Sequence, residues 1–142
     1  MDFSTALNIS ASGLAAERTR VDLAASNLAN AESTRGADGQ PYRRRDPVLT
    51  SAPFSQQLGA AIGEPAPVGV KVTDIVEDAS PGRRVYSPDH PDADEEGFIT
   101  LPNVDPIHEV VNLVSAQSGY DANATAIETL ETMAQHALDI AR

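Results

Sequence analysis

Large apolar residues recur every seven positions at both ends of the chain. From Phe3 to Asn30 the series is Leu7, Leu14, Val21 and Leu28, with Phe3, Ala11 and Ala25 on the same face. Ala6, Ala15, Ala16, Ala24 and Ala29 add helix propensity, Asp2 is placed to cap the start, and Asn30 followed by Ser33-Thr34-Arg35-Gly36 ends the run. The second series is Leu113, Tyr120, Ile127, Ala134 and Ala141, joined by Ala116, Leu130 and Ala137 and thickened by Val110, Val111 and Val114. It opens at Asp105-Pro106, a capping carboxylate before a proline at the first helical position, with Glu109 in the first turn where a negative charge suits the helix dipole. A seven-residue recurrence favours a coiled-coil seam over a stripe facing a globular core. All ten prolines lie between Pro41 and Pro106, and seven of nine glycines lie between Gly36 and Gly97, so the chain reads as helix, irregular middle, helix. The middle offers three strand candidates: Val68–Val76, Arg83–Tyr86 and Gly97–Leu101. Ser51–Pro67 reads as a mobile loop. The expected fold is mainly α with a small antiparallel β insert. The N-terminal helix occupies 1–34, the middle 35–102 and the C-terminal helix 103–142, with 1–34 and 103–142 packing together as one helical domain.

Composition thins this picture. Alanine supplies 22 of the apolar positions, tryptophan is absent, and aromatics make up 4% of the 142 residues. Such stripes bury too little area alone to offset ordering entropy, so the terminal helices are expected to be poorly ordered in a free monomer and to fold against neighbours. The net charge of −11 opposes binding to phosphate backbones. With no cysteine there is neither a disulfide framework nor a thiolate site. No apolar run spans a bilayer. Met1-Asp2-Phe3-Ser4 lacks the basic and apolar regions of a secretory signal, so no cleavable leader is expected.

Candidate chemistry is sparse. From Asp92, Asp-x-Asp-x-Glu-Gly imitates the first half of a calcium loop, but the twelfth position is Asn103, not a bidentate glutamate, and Pro88 and Pro91 forbid a preceding helix. A small acidic calcium-binding or regulatory module centred on Asp92–Glu96 is the alternative reading. His90, His108 and His136 have no zinc spacing, and no nucleophile elbow, P-loop or GxGxxG occurs. Neither a catalytic, cofactor nor metal site is expected, and no small-molecule substrate or nucleic acid. Arg43-Arg44-Arg45 is the one basic run, read either as pairing with a neighbour's carboxylates or as an exposed turn with no specific partner. Asn27 and Asn30, three apart on a helix, can both face a neighbour or cap the helix end.

Several stretches resemble one family over nearly the whole chain. Ala24-Ala-Ser-Asn-Leu-Ala-Asn30 is similar to the Asn-Leu-Ala-Asn signature of bacterial flagellar rod and hook proteins. Gly36-Ala-Asp-Gly-Gln-Pro-Tyr-Arg43, Val85-Tyr-Ser-Pro-Asp-His-Pro-Asp-Ala-Asp94 with Gly97-Phe98, Leu101-Pro-Asn-Val-Asp105, Glu109-Val-Val-Asn112 and Tyr120-Asp-Ala-Asn123 resemble the proximal rod branch of that axial protein family. The resemblance implies a structural, motility-related subunit of the basal body. It implies export through the flagellar type III apparatus without signal cleavage, and a place in the rod within the periplasmic space. It further implies self-association, contact with the membrane ring and the other proximal rod proteins FlgB, FlgF and FliE, and transmission of torque from ring to hook. Terminal helices pack as a coiled coil in such proteins. The implied assembly interface is therefore Leu7, Leu14, Val21, Asn27, Leu28, Asn30, Leu113, Tyr120, Asn123, Ile127 and Leu130.

Overall fold

Alanine-rich sequence without proline carries α1 from Phe3 to Ala29, and Asn30 stops it. The Asn30 side-chain amide donates back to Ser26 O at 2.8 Å, a carbonyl that also accepts the Asn30 backbone N–H at 3.1 Å, closing the last turn. At the other end of the chain Asp105 Oδ1 accepts the Ile107 N–H at 2.9 Å, Pro106 takes the first helical position, and α2 runs from Pro106 to Ile140. The computed structural model describes residues 3–36, 39–53 and 68–140. Between the helices lie β1 (Arg45–Pro53), β2 (Val68–Glu77), β3 (Arg83–Tyr86) and β4 (Phe98–Leu101), in two separate two-stranded sheets, β1 with β2 and β3 with β4. Both terminal helices and the three strand candidates of the sequence are thus present.

The strand β1 was not expected, and Ser51–Pro53 belongs to it, not to a loop. Proline disfavours a strand interior, and β1 contains Pro47 and Pro53, but in a two-stranded sheet each strand has a free edge, where a missing N–H breaks no ladder bond. The remainder of the expected loop, 54–67, lies outside the described residues, as does Asp2.

The chain divides into two compact units. The first comprises residues 1–19, 48–74 and 115–142. Here α1 and α2 run antiparallel and close: a Cβ at Gly13 would stand 2.7 Å from Asn123 Oδ1, and one at Gly119 would stand 3.0 Å from Glu17 Cδ. Ala16 and Ala116 are buried. The Ser12 hydroxyl donates to Ile9 O at 2.7 Å and accepts the Val70 N–H at 3.1 Å, tying β2 to α1. The second unit comprises 20–47 and 75–114. Ala24, Ala31, Ile99, Pro102 and Val104 are buried in it. Its β3–β4 hairpin pairs Arg83 with Leu101 and Tyr86 with Phe98. The Tyr86 and Phe98 rings meet edge-on at 5.3 Å, and Arg84 lies over the Phe98 ring at 4.6 Å.

Candidate functional site: helix faces and a polar junction

The side chains that α1 turns inward are small or polar. Ala16, Ala24 and Asn27 are buried, while the series Leu7, Leu14, Val21 and Leu28 is half-buried. Leu28 follows Asn27 by one residue, about 100° around the helix, so the leucine series flanks the inward face. On α2 the buried positions are Glu109 and Ala116, seven apart, and Leu113, Tyr120, Asn123, Ile127 and Leu130 are half-buried. Beyond them Ile107, Val110, Val111 and Val114 are exposed, Ile107 to 77% and Val111 to 60%, as are Met133, Leu138 and Ile140. Of the eleven expected interface residues, Asn27 alone is buried; the other ten are half-buried.

In the second unit Asn27 and Glu109, each 1% exposed, form the centre of a polar junction. Asn27 Nδ2 donates to Glu109 Oε2 at 3.0 Å. Arg44 Nε donates to Glu109 Oε1 at 2.7 Å, and Asn112 Nδ2 approaches the same oxygen at 3.4 Å. The Arg44 guanidinium also grips Asp46. Burial disfavours its charge, but the bond to Glu109 and the charges of Asp46, Glu109 and Asp78 outweigh this and raise its pKa above the ordinary value. Arg45 pairs with Glu77 at 3.0 Å and lies over the Tyr42 ring at 5.6 Å. Two cations of the arginine run are therefore taken up within the chain, which neither reading of the run had foreseen, and Arg43 is left exposed. A cleft of about 120 Å³ opens beside Glu109, edged by Arg20, Leu23, His108 and Asn112.

The acidic stretch builds a turn. Asp94 Oδ1 accepts the Phe98 N–H at 2.8 Å and the Glu96 N–H at 3.0 Å, and Oδ2 accepts from Arg84 at 2.7 Å. Chiefly the Phe98 amide, then Arg84 and the Glu96 amide, hold its pKa below the ordinary carboxylate value. Asp92 accepts from Thr34 Oγ1 at 2.7 Å and pairs with Arg35. Asp78, capped by Ser80, is likewise lowered. The carboxylates of a calcium loop converge on one point, whereas these are spread over separate local partners. Among the described residues no group of three or more His, Asp or Glu is set to hold a metal ion, and no helix is long and apolar enough to cross a membrane.

Such faces suit packing, and comparison with known proteins supplies the family. A family profile described as "Flagella basal body rod protein" matches residues 7–37, and one described as "Flagellar basal body rod FlgEFG protein C-terminal" matches 95–140. The flagellar basal-body rod protein FlgC of Bacillus subtilis strain 168 is 44% identical over 144 residues, covering 96% of each chain. The chain belongs to the FlgC family of flagellar basal-body rod proteins. FlgC of Escherichia coli O6:H1 is also 44% identical, over 89% of this chain and 88% of its own. FlgC of Borreliella burgdorferi is 35% identical over 99% and 98%. Both helices fall within the two matched profiles almost entirely, so the family's signature and the half-buried seam residues occupy the same elements.

Sequence reasoning missed Glu109, Arg44 and Tyr42, whose hydroxyl donates to Asn27 Oδ1 at 2.9 Å, as members of the junction. An acid beside Val110-Val111 in an apolar stripe, together with the arginine run, was the available signal.

Proposed function

We propose that this chain is a structural subunit of the proximal rod of the flagellar basal body, assembling with copies of itself and with FlgB, FlgF and FliE through its terminal helices. The interface is Leu7, Leu14, Val21, Leu28, Leu113, Tyr120, Ile127 and Leu130, with Asn27, Asn30 and Asn123. The supporting observation is that the large apolar series on each helix is only half-buried while alanine, glycine and polar groups meet inside. Fully burying one leucine or isoleucine that was exposed contributes about 1.5–3 kcal/mol, so a half-covered series repeated over many subunits stiffens a shaft without any single strong bond. The shaft joins membrane ring to hook and carries torque. The subunit reaches the periplasmic space through the flagellar export apparatus without signal cleavage, and the parts of its helices outside the polar junction gain order as they assemble.

Deletion of the gene, with plasmid rescue, tests this through swimming and electron microscopy of purified basal bodies. Rings without rod or hook, restored by the wild-type chain, are expected. Complete rods in the deletion strain would refute the reading.

A further inference from the structure

Asn27 uses every hydrogen-bonding position of its amide. Nδ2 donates to Arg45 O at 2.9 Å and to Glu109 Oε2 at 3.0 Å, and Oδ1 accepts from Arg45 N at 3.0 Å and from Tyr42 OH at 2.9 Å. An asparagine amide offers two donors and two acceptor sites, so none is left over. Two of the four bonds go to the N–H and C=O of a single residue, Arg45. That is the exchange a residue of a neighbouring strand makes in an antiparallel ladder. Asn103 makes a related pair one residue earlier: its Oδ1 accepts the Arg44 N–H at 3.0 Å, and its Nδ2 donates to Asp78 O at 3.2 Å. Asp78 N closes the circuit by donating to Arg44 O at 2.8 Å.

The backbone groups of Arg44 and Arg45, where the chain enters β1, are thus held by Asp78 and by two side-chain amides. One amide comes from the end of α1 and the other from the segment leading into α2. A two-stranded sheet alone is marginal in water and has unpaired edges. Glu109 and Tyr42 orient the Asn27 amide, and the half-buried Arg44 side chain balances Glu109. Aspartate at position 27 would lack the donor for Arg45 O and would set a second carboxylate against Glu109.

We propose that Asn27 and Asn103 are positioning residues whose amides stand in for absent strand neighbours, fusing the base of β1–β2 to the end of α1 and to the lead-in of α2 as a fixed joint. For a rod subunit such a joint passes load between helices and strands through several hydrogen bonds in parallel. That consequence rests on the rod reading; the joint itself does not.

Residue-resolved amide hydrogen exchange on the purified full chain tests the joint, with variants N27A, N103A and N103D. N27A is expected to speed exchange at the Arg45 amide, and N103A at the Arg44 amide, by about tenfold or more in each case, with the β3–β4 ladder amides unchanged. N103D keeps an acceptor for Arg44 N–H and restores protection there. A uniform rise over 20–47 and 75–114, or unaltered exchange at Arg44 and Arg45, would overturn the proposal. If N27A does not fold, the Asn103 variants decide; failure of both alanine variants to fold counts against a joint and for a general stabilising role. The measurement is made on monomer, so its outcome is separate from that of the deletion test.

Discussion

Removing the Glu109 carboxylate leaves the Arg44 guanidinium, 19% exposed, without its buried partner and strands the Asn27 amide donor. Breaking a buried ion pair from one side costs about 3–5 kcal/mol. Asp46 still neutralises Arg44 in part, so E109A is expected to cost about 2–3 kcal/mol in urea unfolding. E109Q keeps an acceptor for Arg44 but turns a donor toward Asn27 Nδ2, and its loss falls between E109A and wild type. Asp94 gives the pH counterpart. Its folded pKa is depressed, so its contribution is complete above the unfolded value of about 3.9 and is lost as pH falls through the lower folded value. The Phe98 and Glu96 amide resonances should therefore shift together at a pH below that of a free aspartate. In D94N, which retains an acceptor oxygen, the shared step disappears. A step at the ordinary carboxylate pKa in wild type would contradict the assignment.

Among the elements, the helices and the β3–β4 hairpin were legible because their signals are local: Asp105-Pro106 as a cap, and Gly82 and Gly97 bounding two short β-rich runs. Strand β1 was not, since its prolines are tolerated only because of an edge that pairing creates. The inward helix faces were misleading for a related reason. Periodicity finds large apolar residues, whereas the closest approach uses Gly13, Gly119 and alanines, which carry little pattern. Glu109 read only as a first-turn charge suited to the helix dipole because its partner lies 65 positions away. The hairpin also supplies an element-scale test. A Cβ at Gly82 would run into the backbone oxygen of Leu101 on the paired strand, and backbone cannot swing aside as a flexible side chain can. Gly97 has φ +81°, a conformation costly to other residues. G82A is expected to destabilise the hairpin by about 1–3 kcal/mol. The ring-current shifts between Tyr86 and Phe98 should be lost while helical circular dichroism is retained. A loss of helix signal in parallel would show that the hairpin is not a separable element.

For the whole molecule, charge and exposed surface pull in opposite directions. A net charge of −11 keeps monomers apart, yet Val111 and Val114 stand about 60% exposed on one helix beside Ile107 and Val110. Scattered surface valines need no explanation, but four large apolar residues within eight positions make a contiguous strip. The strip adjoins the half-buried Leu113, so a neighbour covering one covers the other. Replacing Val111 or Val114 by aspartate removes little contact within the chain, and the change in monomer stability is expected to stay within about 0.5 kcal/mol. In an assembled rod the same carboxylate would be buried among apolar groups without a partner, which costs several kcal/mol at every copy. V111D and V114D should therefore yield soluble, exported subunits that fail to restore rods to a deletion strain, while V111A and V114A restore them at least in part. If both aspartate variants support swimming, the strip is not a packing surface and the half-buried leucine series must carry assembly alone. If they lower the monomer's urea midpoint sharply, the strip is engaged within the chain and its exposure has been misjudged.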